Sequence, residues 1–261
     1  MLIDTHTHIH DAEFFKTESQ RSSLYQEAVD SGVERLVCIG TDLDSSRQAV
    51  KFCQDKSGAY PVVGLHPHDA DHSDEQISGL EKLLEDNDDI VAIGECGLDY
   101  YYSNSAVHQQ HEGLIAQFEL ANKYKLPMVF HIRGSESNPD DAFSDFWQIY
   151  DKYKIPGVVH SFSAMQPQLD QILQRGLYVG INGIVTFAKD PKQRSTMLNV
   201  PLDNMVLETD SPFLTPVPER GKVNTSKNIN LVLDFLDQNR PESREQLAEA
   251  TTANAIKLFR I

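Results

Sequence analysis

Leu2-Ile3-Asp4-Thr5-His6-Thr7-His8 is a short apolar run that stops in two histidines one residue apart. Leu, Ile and Thr suit the half-buried, pleated setting of a strand, so Leu2–Thr5 reads as the first strand. A doubly wound open sheet carries a glycine-rich phosphate turn at this point; here the run ends in His-Thr-His instead. Seven similar runs follow, at Arg35–Gly40, Tyr60–Leu65, Ile90–Gly94, Pro127–His131, Gly157–His160, Leu177–Ile181 and Met205–Glu208. They are rich in Val, Ile and Leu and apolar on both faces, as in a parallel sheet covered by helices. The gaps carry helical patterns: Ser19–Ser31, Leu43–Asp55, Ser73–Glu85, His108–Tyr124, Pro139–Tyr153, Gln166–Arg175, Pro191–Leu198, Asn228–Gln238 and Ser243–Phe259. Ser73 with Gln76 reads as a capping box. Leu114, Phe118 and Ala121 mark one buried stripe.

Eight strands alternating with helices over 261 residues is the repeat of a closed barrel. The expectation is an α/β fold, a (β/α)8 TIM-type barrel forming a single domain over residues 1–261. The rival open sheet lacks its usual signatures, since neither GxxxxGK[ST] nor GxGxxG occurs. No linker or low-complexity tract divides the chain.

The chemistry stands where the runs stop. Strand 1 ends in Asp4, His6 and His8, strand 3 at His66, strand 4 at Glu95, strand 5 at His131, strand 6 at His160 and strand 8 at Asp210. His, Asp and Glu are 49 of 261 residues, too few to meet six strand ends of eight by chance. In a parallel barrel these ends share one rim, where active sites are built. His6 and His8 are two residues apart and face the same side. Taken singly, each residue has a plainer role: His160 as a hydrogen-bonded structural histidine, Glu95 or Asp210 as a helix cap. Together, several buried carboxylates and imidazoles on one rim are costly without a counter-charge. Divalent metal removes that cost, and these are the donors of Zn²⁺, Mn²⁺, Fe²⁺ and Mg²⁺ sites.

Composition excludes other classes. Hydrophobic residues are 40% and charged residues 24%, with twelve Phe and nine Tyr for a core, so the chain is not disordered. No apolar run approaches the ~20 residues of a membrane span, and the start has no basic-then-apolar secretory pattern. Net charge is −16, which argues against a broad basic groove for duplex nucleic acid. Cys38, Cys53 and Cys96 fit neither a disulfide framework nor a zinc finger and point to a reducing, cytoplasmic setting. Trp147, among Phe143 and Phe146, reads as core.

The chain resembles the TatD family of metal-dependent hydrolases (TatD-like deoxyribonucleases) within the amidohydrolase-like barrel superfamily. The resemblance is carried by Leu2–His8, Gly64-Leu-His-Pro67, Ile93-Gly-Glu-Cys-Gly-Leu-Asp-Tyr100, Pro127-Met-Val-Phe-His-Ile-Arg133 and His160-Ser-Phe-Ser163. Leu207-Glu-Thr-Asp-Ser-Pro212, Arg220-Gly-Lys-Val-Asn224 and Asn254 with Leu258-Phe259 complete it. The GExGLDY and ETDSP segments are specific, whereas HxH is shared across the superfamily. The chain departs from the family pattern at His10 before Asp11, at Gly134–Pro139 and at Thr225-Ser226; none of these removes an expected metal ligand.

The resemblance implies a two-metal site. His6, His8 and Asp210 would hold one ion, His131 and His160 the other, with Glu95 bridging through its two oxygens. Asp210 would also accept the water proton. His66 and Arg133, and Arg220 and Lys222 in the loop after the last strand, are substrate candidates. Asp99 is expected to orient Glu95 through neighbouring hydrogen bonds. The implied activity is 3′–5′ exonuclease-type hydrolysis of single-stranded or end-accessible DNA, with Mg²⁺ favoured by the resemblance. The alternatives are a metal-dependent hydrolase of a small ester, amide or lactone, or of an aminoacyl-tRNA ester, and a non-catalytic protein on a retained barrel.

Overall fold

A computed structural model describes residues 1–102 and 104–261, with the backbone alone for His72. The strands are β1 (Leu2–Thr7), β2 (Val33–Ile39), β3 (Ala59–Val63), β4 (Ala92–Asp99), β5 (Met128–Arg133), β6 (Gly157–Val159), β7 (Tyr178–Ile181) and β8 (Met205–Leu207). Between them run α1 (Glu18–Asp30), α2 (Leu43–Cys53), α3 (Ser73–Asp86), α4 (Val107–Tyr124), α5 (Asp141–Tyr153), α6 (Gln166–Gln174), α7 (Ile184–Phe187) and α8 (Pro191–Leu198). The chain finishes with α9 (Ile229–Asn239) and α10 (Arg244–Phe259).

The strands pair in parallel and in chain order, β1 to β8. This is a (β/α)8 barrel. Its last seam closes mostly above β8, where Asp210 N–H donates to His6 O at 2.9 Å and His8 N–H to Ser211 O at 2.7 Å. Lower down, Thr5 Oγ1 donates to Leu207 O at 2.9 Å. The seam therefore places Asp210 beside His6 and His8 through the backbone itself.

Small and β-branched residues fill the lumen: Ile3, Val37, Ile39, Val62, Ala92, Val129, Val158 and Val206 form one buried cluster with Ala255, Leu258 and Phe259 of α10. Thr252 and Asn254 tie α10 to the lower rim, through Met1 O and through Leu202 O and Met205 O. The C-terminal helix thus seals the floor, and only the upper rim is open for polar groups. The outward faces pack beneath the surrounding helices, where Trp147 is buried among Phe146 and Tyr150, as the apolar spacing indicates.

Three local details differ from expectation. β4 does not stop at Gly94 but runs to Asp99. Gly94 and Gly97 take φ of +145° and +152°, and the β4–β5 register slips between Ile93 and Cys96. Glycine within a strand marks such a bulge, and this one sets Glu95 inside the rim. β3 stops early, at Val63, so His66 stands at the start of a 3₁₀ turn, Pro67–His72. Gln76 does not close a box with Ser73; its Oε1 accepts Leu43 N–H at 2.8 Å and so caps the neighbouring α2. Cys38, Cys53 and Cys96 are buried without disulfides. Among the described residues no helix is long and apolar enough to cross a membrane.

Candidate metal centre

The rim is built upward from Asp4. Its carboxylate accepts Thr209 N–H at 2.9 Å, Thr209 Oγ1 at 2.7 Å and His6 N–H at 3.3 Å, stapling β1 to the segment after β8. Burial raises its pKa to about 6. Above it His6 and His8 point the same way, as spacing on a strand requires. Asp210 follows directly after Thr209 with φ +57°, a left-handed turn that Asp tolerates better than most residues. The bulge in β4 brings Glu95 in from the other side.

Glu95 stands between two groups of nitrogens. Its Oε2 lies 3.3 Å from His6 Nε2. His6 Nε2 and His8 Nε2 are 3.3 Å apart and lie 3.6 and 3.4 Å from Asp210 Oδ1. Its Oε1 lies 2.7 Å from His160 Nε2 and 2.8 Å from His131 Nδ1, which are 3.3 Å from each other. The His6 and His160 rings stack at 4.0 Å, joining the two halves. The structure thus brings together all six side chains that the sequence names as ligands.

The donor set fits divalent cations on chemical grounds. His8 Nδ1 lies 2.8 Å from Ile39 O, which can only accept. The proton therefore sits on Nδ1, and neutral His8 aims the Nε2 lone pair at an Asp210 oxygen. His131 Nε2 lies 3.0 Å from Asp99 Oδ2, so its Nδ1 lone pair likewise meets Glu95 Oε1. Lone pairs facing carboxylate oxygens require a positive charge between them. Without metal, protons supply it. Burial pulls His8 and His131 down, but Asp210 lifts His8 to about 9, and Asp99 with Glu95 lifts His131 to about 9. Burial and His160 lower His6 to about 4. Burial would raise Glu95, yet His160, His66 and His131 hold it well below the usual carboxylate range. A carboxylate whose ionised form is favoured by the imidazoles around it is a site arranged for cations. Among the described residues three groups of donors, His6–His8–Glu95, His66–Glu95–His131 and His6–His160–Glu208, each lie within reach of a single ion.

A family model described as TatD related DNase matches residues 3–260. The chain belongs to the TatD family. Among its relatives, the Bacillus subtilis protein named as an uncharacterized metal-dependent hydrolase, YabD, is 32% identical over 265 residues, covering 100% of both chains. The Citrobacter rodentium protein named 3′-5′ ssDNA/RNA exonuclease TatD is 31% identical over 272 residues, covering 100% of this chain and 98% of its own. Among solved structures, the Escherichia coli TatD homolog YjjV superposes with a TM-score of 0.89 at 26% identity, over 100% of this chain and 98% of that one.

Around the cluster, this TatD-family chain supplies supports the sequence shows less clearly. Asp99 does not act on Glu95 directly. Its Oδ2 accepts from His131 Nε2 and His68 Nε2, each at 3.0 Å, and its Oδ1 accepts Tyr101 and Tyr102 N–H. It thereby fixes the ring of His131, as a carboxylate behind a metal-binding histidine would. Asp99→Asn is expected to weaken metal affinity or activity by about 10–100-fold; metal titration read by calorimetry checks this. Glu208, buried and raised to about 8 by that burial, accepts Ser161 N–H and Asn182 Nδ2 and lies 3.8 Å from His160 Nδ1. His68 repeats the HxH spacing with His66, a signal present in the sequence; Asn182 has none.

The cluster floors a cavity of about 900 Å³. His66 lines it. Its Nδ1 accepts His68 N–H at 3.1 Å, so the Nε2 proton faces inward, 3.6 Å from Glu95 Oε1. Burial pushes the ring well below its ordinary pKa, which favours the neutral imidazole. Arg133 also lines the cavity, its guanidinium 4.0 Å from the Tyr101 ring centre. Arg220 and Lys222 do not line it. Arg220 stacks behind Phe187 at 3.8 Å and donates to Thr215 O, and exposed Lys222 pairs with Glu219.

Proposed function

We propose that this chain is a two-metal phosphodiesterase that shortens single-stranded DNA from its 3′ end. The observation that carries the reading is Glu95, whose two oxygens each face a separate set of imidazole nitrogens at the base of an open cavity. His6, His8 and Asp210 would hold one ion, His131 and His160 the other, and Glu95 both. Divalent ions held there would polarise a phosphoryl oxygen and lower the pKa of the attacking water. Asp210 is more accessible than Glu95, 13% against 5%, and takes the proton of that water. His66 Nε2 donates to a phosphate oxygen and Arg133 meets its charge. The names of the relatives support the direction of degradation. The three buried thiols support a cytoplasmic setting. Mg²⁺ is the proposed activating ion, while the histidines also suit Mn²⁺, Zn²⁺ or Fe²⁺.

A second reading, hydrolysis of a small ester, amide or lactone or of an aminoacyl-tRNA ester, is favoured by one observation. Arg133 is the only Lys or Arg among the described residues lining the cavity. One screen separates the two: 5′-labelled linear single strands, circular single strands, RNA and aminoacyl esters, each with Mg²⁺, Mn²⁺, Zn²⁺ or EDTA. The proposal expects linear DNA to shorten progressively from the 3′ end, circles to survive and EDTA to stop the reaction. Equal cutting of circles contradicts end-dependence. Ester cleavage without DNA cleavage establishes the second reading.

A further inference from the structure

The chain has twelve Phe, nine Tyr and one Trp. Four of these rings are exposed, namely Phe14, Tyr101, Tyr102 and Phe213; Tyr102 and Phe213 line the same cavity, and Tyr101 and Phe14 each pack against one of them. Tyr101 and Tyr102 flank Arg133 on the β4–β5 side, their ring centres 4.0 and 4.8 Å from its guanidinium. Phe14 and Phe213 stand across the ring, on the β8–β1 side. They meet edge to face at 5.1 Å, and Phe213 lies 6.1 Å from the His8 ring.

The Phe pair is held out deliberately by its surroundings. Asp11 Oδ1 accepts the N–H of Glu13 and Phe14, while the next residue, Phe15, is buried and anchors the loop. Phe213 is fixed at both ends of its peptide: its N–H donates to Asp210 O at 2.7 Å, and its carbonyl accepts Asn224 Nδ2 at 2.7 Å. Each ring nevertheless keeps nearly half its surface open, 47% for Phe14 and 45% for Phe213. Such exposure of large apolar groups beside a cleft marks a contact surface. Unlike the tyrosines, these rings have no Lys or Arg against their faces among the described residues.

Charge narrows the occupant. Among the described residues the cavity wall carries Asp11, Asp69, Glu95 and Asp210 against Arg133 as its one Lys or Arg, so phosphate contacts with the protein supply little affinity for a polyanion. Aromatic faces bind the other part of a nucleotide, and every base presents one. We propose that Phe14 and Phe213 form a base-stacking platform, against which the nucleobase beside the scissile phosphodiester lies. The occupant is a base of a single strand, because an interior base of a duplex has both faces stacked and a terminal one is held by its pairing partner. The inference rests on the nuclease reading and adds to it the source of substrate affinity. It requires binding that tolerates any sequence and depends weakly on salt.

The test compares a single-stranded oligonucleotide with the same strand bearing tetrahydrofuran abasic sites at its 3′ end, at low and moderate salt. The wild-type protein is expected to show a KM about tenfold higher for the abasic strand. In F14A and F213A that difference shrinks, in the double variant it disappears, and F213W restores it. Turnover of the abasic strand by each variant reports that the centre is intact. Equal KM values for the two strands in the wild type, or discrimination that survives the double variant, overturn the platform and leave the nuclease standing. No cleavage of either strand by the wild type overturns the nuclease reading and the platform with it.

Discussion

Replacing Glu95 by Gln is expected to reduce hydrolysis by at least about a thousandfold, the scale on which groups acting as one catalytic unit fail together. The substitution keeps the shape of the side chain and removes its charge. One amide oxygen and one NH2 group then face His6 on one side and His131 and His160 on the other, in place of two carboxylate oxygens. An amide nitrogen has no lone pair for a cation, so one group of ligands loses its shared member outright. The loss is specific to this position because Glu95 offers one carboxylate oxygen to each group. Metal analysis of E95Q beside the wild type checks it: the expected result is fewer bound ions together with lost activity. Full metal content with activity within about tenfold would show that Glu95 does not bridge.

Gly97→Ala carries the second large effect, on stability. At an ordinary loop or strand position this change stabilises by about 0.4–1 kcal/mol through the unfolded chain. Gly97 has φ +152°, and a Cβ there would run into the backbone carbonyl of His131, its partner in the β4–β5 ladder. Strain and clash win, by about 3 kcal/mol. For a chain of this size that lowers Tm by roughly 6–12 °C. Thermal unfolding measures it; an unchanged or raised Tm would contradict the bulge geometry that sets Glu95 in the rim.

The barrel was legible because each inward position is apolar and each strand ends in a different chemistry. Ile3, Val62 and Val206 read as strand core before any contact is known, and the floor against Phe259 follows from packing. The centre was legible for a related reason: imidazoles and carboxylates at strand ends are too costly to be incidental. The rest depends on backbone detail that residue type does not carry. Gly94 looks like a strand end, although it and Gly97 bend β4 and let it continue. Asp99 stands four residues from Glu95, yet its side chain turns to His131, because the strand alternation and the bulge decide which partner it meets. Arg220 and Lys222 look like free cations in a loop; Phe187 and Glu219 engage them, neighbours that only the folded chain supplies. Phe14 is indistinguishable in sequence from Phe15 beside it, and only packing decides which ring faces the core.

The central claim is that one carboxylate holds two ions. Anomalous diffraction from crystals grown with Mn²⁺ tests it most directly. The account predicts two peaks, one bounded by His6, His8, Asp210 and Glu95 Oε2, the other by Glu95 Oε1, His131 and His160. A single peak that leaves either set of nitrogens without a metal, or peaks away from Glu95, would contradict it.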